Sequence, residues 1–247
     1  MPLLQAGKRE FDCGAVLLDK DGTLLDFKVM WLEWSRYVIN ELLAGIGQVN
    51  IISNTLEMAM GVDLTGWQVD AEGPLAGGTL TGLRAALEET LVGAGMKSEA
   101  AAALVAEAMR RSETEMDWGN LARPVPGLEE KLFSLKQKNF KLAVVTADLA
   151  ERSKITLQTL KLDHYFDAVI GADLVKNTKP SPDMALLACG RLGVAPGNAV
   201  VIGDSPRDIL MAQNAGSGSI GVLSGVSTRG QLAGADAVIP SVADLQT

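Results

Sequence analysis

Gly14-Ala-Val-Leu-Leu-Asp-Lys-Asp-Gly-Thr23 is the stretch on which the reading of the chain turns. Its first half is short, almost wholly apolar and bounded by polar residues. That is the pattern of a strand buried on both faces, as parallel sheets require. Its second half turns polar at once. Asp19 and Asp21 are two apart, and in extended chain such positions point to one side. Their carboxylates are therefore expected to converge at the carboxyl end of the sheet, where open α/β folds bind ligands. Two acids so close repel, which favours a divalent cation between them, and all-oxygen ligation suits Mg²⁺. Gly22 permits a tight turn, and Thr23 is expected to bond local backbone groups and hold it.

Similar apolar runs return much later: Leu142–Val145, Ala168–Ile170 and Ala199–Ile202, with a weaker one at Ser219–Leu223 and a candidate edge strand at Ala237–Ile239. Helical patterns lie between them, at Gly127–Phe140, Ala150–Leu160 and Pro182–Leu192. Alternation of this kind predicts an α/β fold, a doubly wound parallel sheet. Residues 27–119 behave differently. They hold no clear buried-strand run, but long helical patterns at Val29–Leu43, Thr79–Val92 and Glu99–Trp118, with a Gly-rich stretch, Gly61–Gly78, read as a connecting loop. Arg123-Pro-Val-Pro-Gly127 marks a boundary, because two prolines keep the chain extended. The expected organisation is a core of residues 1–26 and 120–247 with an α-helical insert over 27–119.

Over 247 residues, 47% are hydrophobic and 21% charged, enough apolar content for a sizeable core. The net charge of −8 argues against nucleic acid, whose phosphates call for dense Lys and Arg. A small phosphorylated ligand is still open to such a chain, since a few local cations can hold one. No run approaches the roughly 18–20 apolar residues of a membrane span. Cys13 and Cys189 form no CxxC pair and read as buried free thiols, so a reducing cytoplasm is the expected location.

Three further features follow core strands or precede helices. Thr146 ends the second apolar strand, in Val144-Val-Thr-Ala-Asp148, where its hydroxyl and the next backbone N–H, that of Ala147, could receive a phosphate oxygen. Lys179 sits in Asn177-Thr-Lys-Pro-Ser-Pro-Asp183, just before a helix. Val200-Val-Ile-Gly-Asp-Ser-Pro-Arg-Asp208 places Asp204 at the sheet's end and Asp208 one helical turn on. Taken singly, each has a blander reading: a turn, a cap, a solvated lysine, a first-turn acid. The four fixed residues of DxDGT arise by chance in roughly one chain per thousand of this length, at about 5% usage per residue.

In this order the motifs resemble the haloacid dehalogenase superfamily, mostly phosphatases: DxDGT at Asp19–Thr23, a Thr after a strand at Thr146, Lys-Pro at Lys179, and GDxxxD at Gly203–Asp208. The insert resembles the helical cap of the phosphoglycolate-phosphatase-like branch. The resemblance implies a Mg²⁺-dependent phosphatase acting on a small phosphorylated metabolite. Asp19 would be the nucleophile that forms an aspartyl-phosphate, and Asp21 the general acid and base. Thr146, Ala147 and Lys179 would hold the phosphoryl group. Asp19, Asp21 (through its carbonyl), Asp204 and Asp208 would serve the metal, Asp208 by orienting Lys179 or metal-bound water. The chain departs from many relatives at Ala147-Asp148 and at Phe27, which bears on substrate identity. Alternatives are a phosphomutase of the same superfamily, a non-enzymatic receiver-like phospho-switch and a catalytically dead relative. His164 is expected to be structural, and Trp31, Trp34, Trp67 and Trp118 are expected mostly to pack.

Overall fold

The computed structural model describes residues 1–47 and 53–247. Along the chain, β1 (Leu3–Ala6), β2 (Arg9–Asp12) and β3 (Ala15–Leu18) come first. Then follow α1 (Phe27–Gly45), α2 (Ser53–Met60), β4 (Val62–Asp63), β5 (Gln68–Val69), α3 (Pro74–Gly77), α4 (Leu80–Gly93), α5 (Ser98–Glu115) and α6 (Trp118–Leu121). The rest runs α7 (Leu128–Gln137), β6 (Lys141–Val145), α8 (Ala150–Thr159), β7 (Ala168–Ile170), α9 (Asp183–Leu192), β8 (Ala199–Gly203), α10 (Pro206–Ala215), β9 (Gly218–Val222) and β10 (Ala237–Ile239). The described residues form two compact units, Met1–Phe27 with Ala122–Thr247, and Lys28–Leu121.

The first unit is built on a six-stranded sheet in the order β10-β9-β8-β3-β6-β7, parallel at every pairing. Period-two alternation feeds two cores from one sheet. Val16, Leu18, Leu142, Val144, Val200 and Ile202 pack with Leu128, Leu132 and Leu135 of α7 and Leu157 of α8. Ala15, Leu17, Ala143, Val145, Ala199 and Val201 pack on the other face with Met184, Ala188 and Leu192 of α9 and Met211 of α10. The sheet is thus doubly wound, as its sequence pattern predicts. From β3 the chain winds outward through β6 and β7, then crosses back to β8, β9 and β10. The order reverses at β3, and the crevice at that reversal is where folds of this kind take ligands.

Two strands differ from the sequence reading. Ser219–Leu223 is no weak strand: β9 is an inner strand, with Ser219 only 1% exposed. Its polarity is absorbed by Asp236, which accepts from the Ser219 N–H (2.8 Å) and Oγ (3.0 Å). The β1–β2 hairpin was not anticipated, because its residues mix polar and apolar types over only four positions each.

The second unit has its own core. Leu32, Val38 and Leu42 of α1, Leu56 and Met60 of α2, Leu83, Leu87 and Leu91 of α4, and Ala101 and Val105 of α5 pack together. The spacing of the α4 leucines places them on one stripe. Trp34 Nε1 donates to Ser112 Oγ at 2.9 Å, and Trp31, Trp67 and Trp118 pack against the same cluster. The Gly61–Gly78 stretch is more than a loop. It carries the antiparallel β4–β5 pair and the short α3, with Asp63 Oδ1 accepting from the Gly66 N–H at 2.7 Å.

Candidate active site

Asp19 follows β3 directly, and its N–H donates to the Ile202 carbonyl of β8 at 2.9 Å. The sheet's hydrogen bonding therefore holds the residue at the reversal point. The chain then turns sharply: Leu24 and Leu25 donate to the Lys20 carbonyl, and Gly22 has φ of 87°. A side chain at Gly22 would be strained by that φ and would also meet the Asp204 carboxylate at 2.4 Å.

Lys179, 5% exposed, is ion-paired to Asp19 Oδ1 at 2.6 Å and to Asp208 Oδ1 at 2.6 Å. Its backbone is fixed from α10, where Arg207 Nε and Nη2 donate to the Lys179 carbonyl at 3.2 and 2.6 Å. Asp208, 1% exposed, is held by a capping box: its Oδ2 accepts from the Ser205 N–H at 3.2 Å and from Ser205 Oγ at 2.6 Å. Asp204 follows β8, is 4% exposed, and accepts from the Val226 N–H at 3.2 Å. The loop after β9 supplies that donor. Ser224 Oγ of the same loop donates to the Gly22 carbonyl at 2.7 Å, and a Cβ at Gly225 would lie 1.8 Å from Asp204 Oδ2.

Asp19, Asp204 and Asp208 each offer a carboxylate oxygen within 4.8 Å of the others. Burial is the main reason Asp19 is pushed up to about 7; Lys179 counteracts it, and Asp208 and Asp21 add to it. Burial likewise pushes Asp204 well above the carboxylate range, with Asp19 and Asp208 contributing. Burial disfavours the charge on Lys179, but Asp19 and Asp208 outweigh it and raise its pKa. Three buried carboxylates facing one lysine leave excess negative potential. Hard oxygen donors with that imbalance fit a divalent cation such as Mg²⁺.

Two expectations need correction. The Asp21 carboxylate does not join that trio. The strand ends at Leu18, so period-two alternation does not carry through to Asp21, and its Oδ1 lies 3.0 Å from Lys20 Nζ instead. Thr23 is fully buried, but its hydroxyl makes no hydrogen bond to local backbone or to any other described residue. Thr146, 2% exposed, directly follows β6. Its N–H donates to the Ile170 carbonyl (2.9 Å) and its Oγ1 accepts from the Asp148 N–H (3.2 Å). Ala147 is exposed on the bend beside it. His164 is exposed and lies against Tyr165, ring centroids 4.0 Å apart and planes tilted by 39°, taking no part in the cluster. Sequence reasoning missed Lys20, Arg207 and the Ser224–Val226 loop, and marked Asp148 only as a departure from relatives, not as a partner of Lys20. Each acts through its neighbours' side chains or carbonyls, and none sits in a spacing that would single it out.

Comparisons with known proteins agree with this architecture. "Probable phosphatase IndB" of Dickeya dadantii is 42% identical over 111 residues, 45% of this chain and 48% of that one. A phosphoglycolate phosphatase of Aquifex aeolicus is 41% identical over 95 residues, 38% of this chain and 45% of that one. The aligned region thus spans about half the length of the curated relatives it matches. The solved beta-phosphoglucomutase of Clostridium difficile superposes with a TM-score of 0.63, covering 94% of this chain and 92% of that one; at 22% identity this speaks for the fold. No helix among the described residues is long and apolar enough to cross a membrane. The haloacid dehalogenase-like hydrolase model matches residues 13–216, from the first core strand through α10, and the chain accordingly belongs to the haloacid dehalogenase-like hydrolases.

Proposed function

We propose that this chain is a Mg²⁺-dependent phosphatase that hydrolyses a small phosphorylated metabolite through an aspartyl-phosphate on Asp19. The observation that carries the reading is the two buried ion pairs of Lys179, with Asp19 and with Asp208, beside Asp204, at the carboxyl ends of β3 and β8. Relatives named phosphoglycolate phosphatase and pyrophosphatase support small phosphorylated substrates.

In this reading Asp19 attacks phosphorus and the bond to the leaving oxygen breaks. Asp21 gives its proton to the departing alkoxide, then takes one from the water that attacks the aspartyl-phosphate, releasing inorganic phosphate and restoring Asp19. Thr146, the Ala147 N–H and Lys179 bind the phosphoryl oxygens and stabilise the charge that builds on them. Asp19, the Asp21 carbonyl and Asp204 would hold Mg²⁺, with Asp208 orienting Lys179. Bound there, the ion would offset the repulsion between an anionic carboxylate and an anionic ester.

The test is phosphate release from a panel of phosphorylated metabolites, with Mg²⁺ present and after chelation. In ¹⁸O-labelled water the released phosphate should carry label. Isomerisation of a sugar phosphate with little free phosphate would replace this reading with a mutase, and full turnover without any divalent cation would remove the mechanism.

A further inference from the structure

Lys20 occupies the variable position of the first motif, yet its side chain is only 3% exposed. A lysine is almost never buried so deeply unless paired. Its Nζ lies 3.0 Å from Asp21 Oδ1 and 3.3 Å from Asp148 Oδ2. Asp21 belongs to the loop after β3 and Asp148 to the loop after β6. The Asp148 N–H in turn donates to Thr146 Oγ1 at 3.2 Å. A continuous chain of contacts therefore runs from the proposed acid–base carboxylate, through one ammonium, to the proposed phosphate-binding loop.

We infer that Lys20 is a positioning residue that clamps the Asp21 loop to the Thr146 loop, fixing where the proton is delivered relative to where the phosphoryl group is held. The inference deepens the phosphatase reading and rests on it. Lys20 does this through charge. Asp21 and Asp148 both approach its Nζ, and removing the ammonium takes away the one cation they share, leaving Arg152 on Asp148 alone, at 3.7 Å from Oδ1. An Arg can carry the same charge to both acids, whereas a Met of similar length fills the space without it.

The experiment uses the purified chain, Mg²⁺ and 4-nitrophenyl phosphate. Lys20→Met should lower kcat at least about tenfold while KM stays within about threefold, the signature of a contact that matters in the transition state. Lys20→Arg should recover a substantial part of that loss. Asp148→Asn should lower kcat by a smaller factor, and the double variant should be no worse than Lys20→Met, because both changes break one clamp. A Lys20→Met enzyme with unaltered kcat overturns the inference. So does a folded Lys20→Arg as impaired as Lys20→Met, or a double variant whose losses simply multiply. If Lys20→Met fails to fold, Asp148→Asn decides: an unchanged kcat there overturns the clamp. A wild-type chain with no Mg²⁺-dependent phosphate release would remove the phosphatase reading and this inference with it, whereas an active wild type with unaffected variants removes only the inference.

Discussion

In the proposed reaction Asp19 is asked to be two things that conflict: a buried carboxylate and a nucleophile that must be ionised. Burial pushes its pKa up to about 7, and Lys179 at 2.6 Å is what keeps it from rising further. Asp19→Asn should therefore abolish phosphate release without unfolding the protein, since the amide cannot form an acyl phosphate. Activity above a few per cent in a folded variant would count against the assignment. A pH consequence follows from linkage. A carboxyl whose folded pKa is raised binds its proton more tightly in the folded chain than in the unfolded one. Its contribution is complete below the unfolded value near 3.8 and is lost as pH rises through about 7. Asp204 acts in the same direction. The metal-free protein should thus melt at lower temperature at pH 8 than at pH 5, and saturating Mg²⁺ should narrow that difference. The slope should be shallower in Asp19→Asn. A melting temperature that is flat with pH in metal-free wild type would contradict this account.

At the scale of elements, the site depends on loops more than on the strands beneath them. The loop after β9 touches Asp204 so closely that a methyl group on Gly225 would fall 1.8 Å from Oδ2. Because Asp204 is buried, it has little room to retreat. Gly225→Ala should weaken Mg²⁺ binding at least about tenfold by titration calorimetry, the outcome expected when a close-packed site is overfilled. An unchanged affinity would mean that the loop yields instead. The strands themselves were plain in the sequence, because Ala15–Leu18, Leu142–Val145 and Ala199–Ile202 are apolar runs whose burial on both faces leaves little choice of structure. The motif acids and Lys179 were likewise visible, each standing just beyond such a run or just before a helix. Lys20 was hidden for a physical reason. Alternation assigns position 20 to the face opposite Asp19, and only the turn after Leu18 brings its ammonium between Asp21 and Asp148. Ser224 and Gly225 were hidden too, since they act through a hydroxyl-to-carbonyl bond and the lack of a side chain.

On the scale of the whole molecule, the described residues hold separate cores: two flanking the parallel sheet and one confined to Lys28–Leu121. Units with cores of their own need not melt together. Scanning calorimetry should give a calorimetric enthalpy larger than the van't Hoff enthalpy. Leu87→Ala, at a fully buried position of the insert, should lower one component and leave the other in place. A single transition with matching enthalpies, shifted as a whole by Leu87→Ala, would show that the two units unfold as one. The chain also comes already labelled for such a measurement. All four tryptophans, Trp31, Trp34, Trp67 and Trp118, belong to the insert, while both thiols, Cys13 and Cys189, belong to the sheet unit and are buried. Burial, followed by the neighbouring Asp12, pushes the Cys13 thiol up to about 12, and burial raises Cys189, so neither reacts until its surroundings open. Intrinsic fluorescence therefore watches one half of the molecule and alkylation rate the other, so the order in which the halves open can be read from the native protein without attaching a single dye.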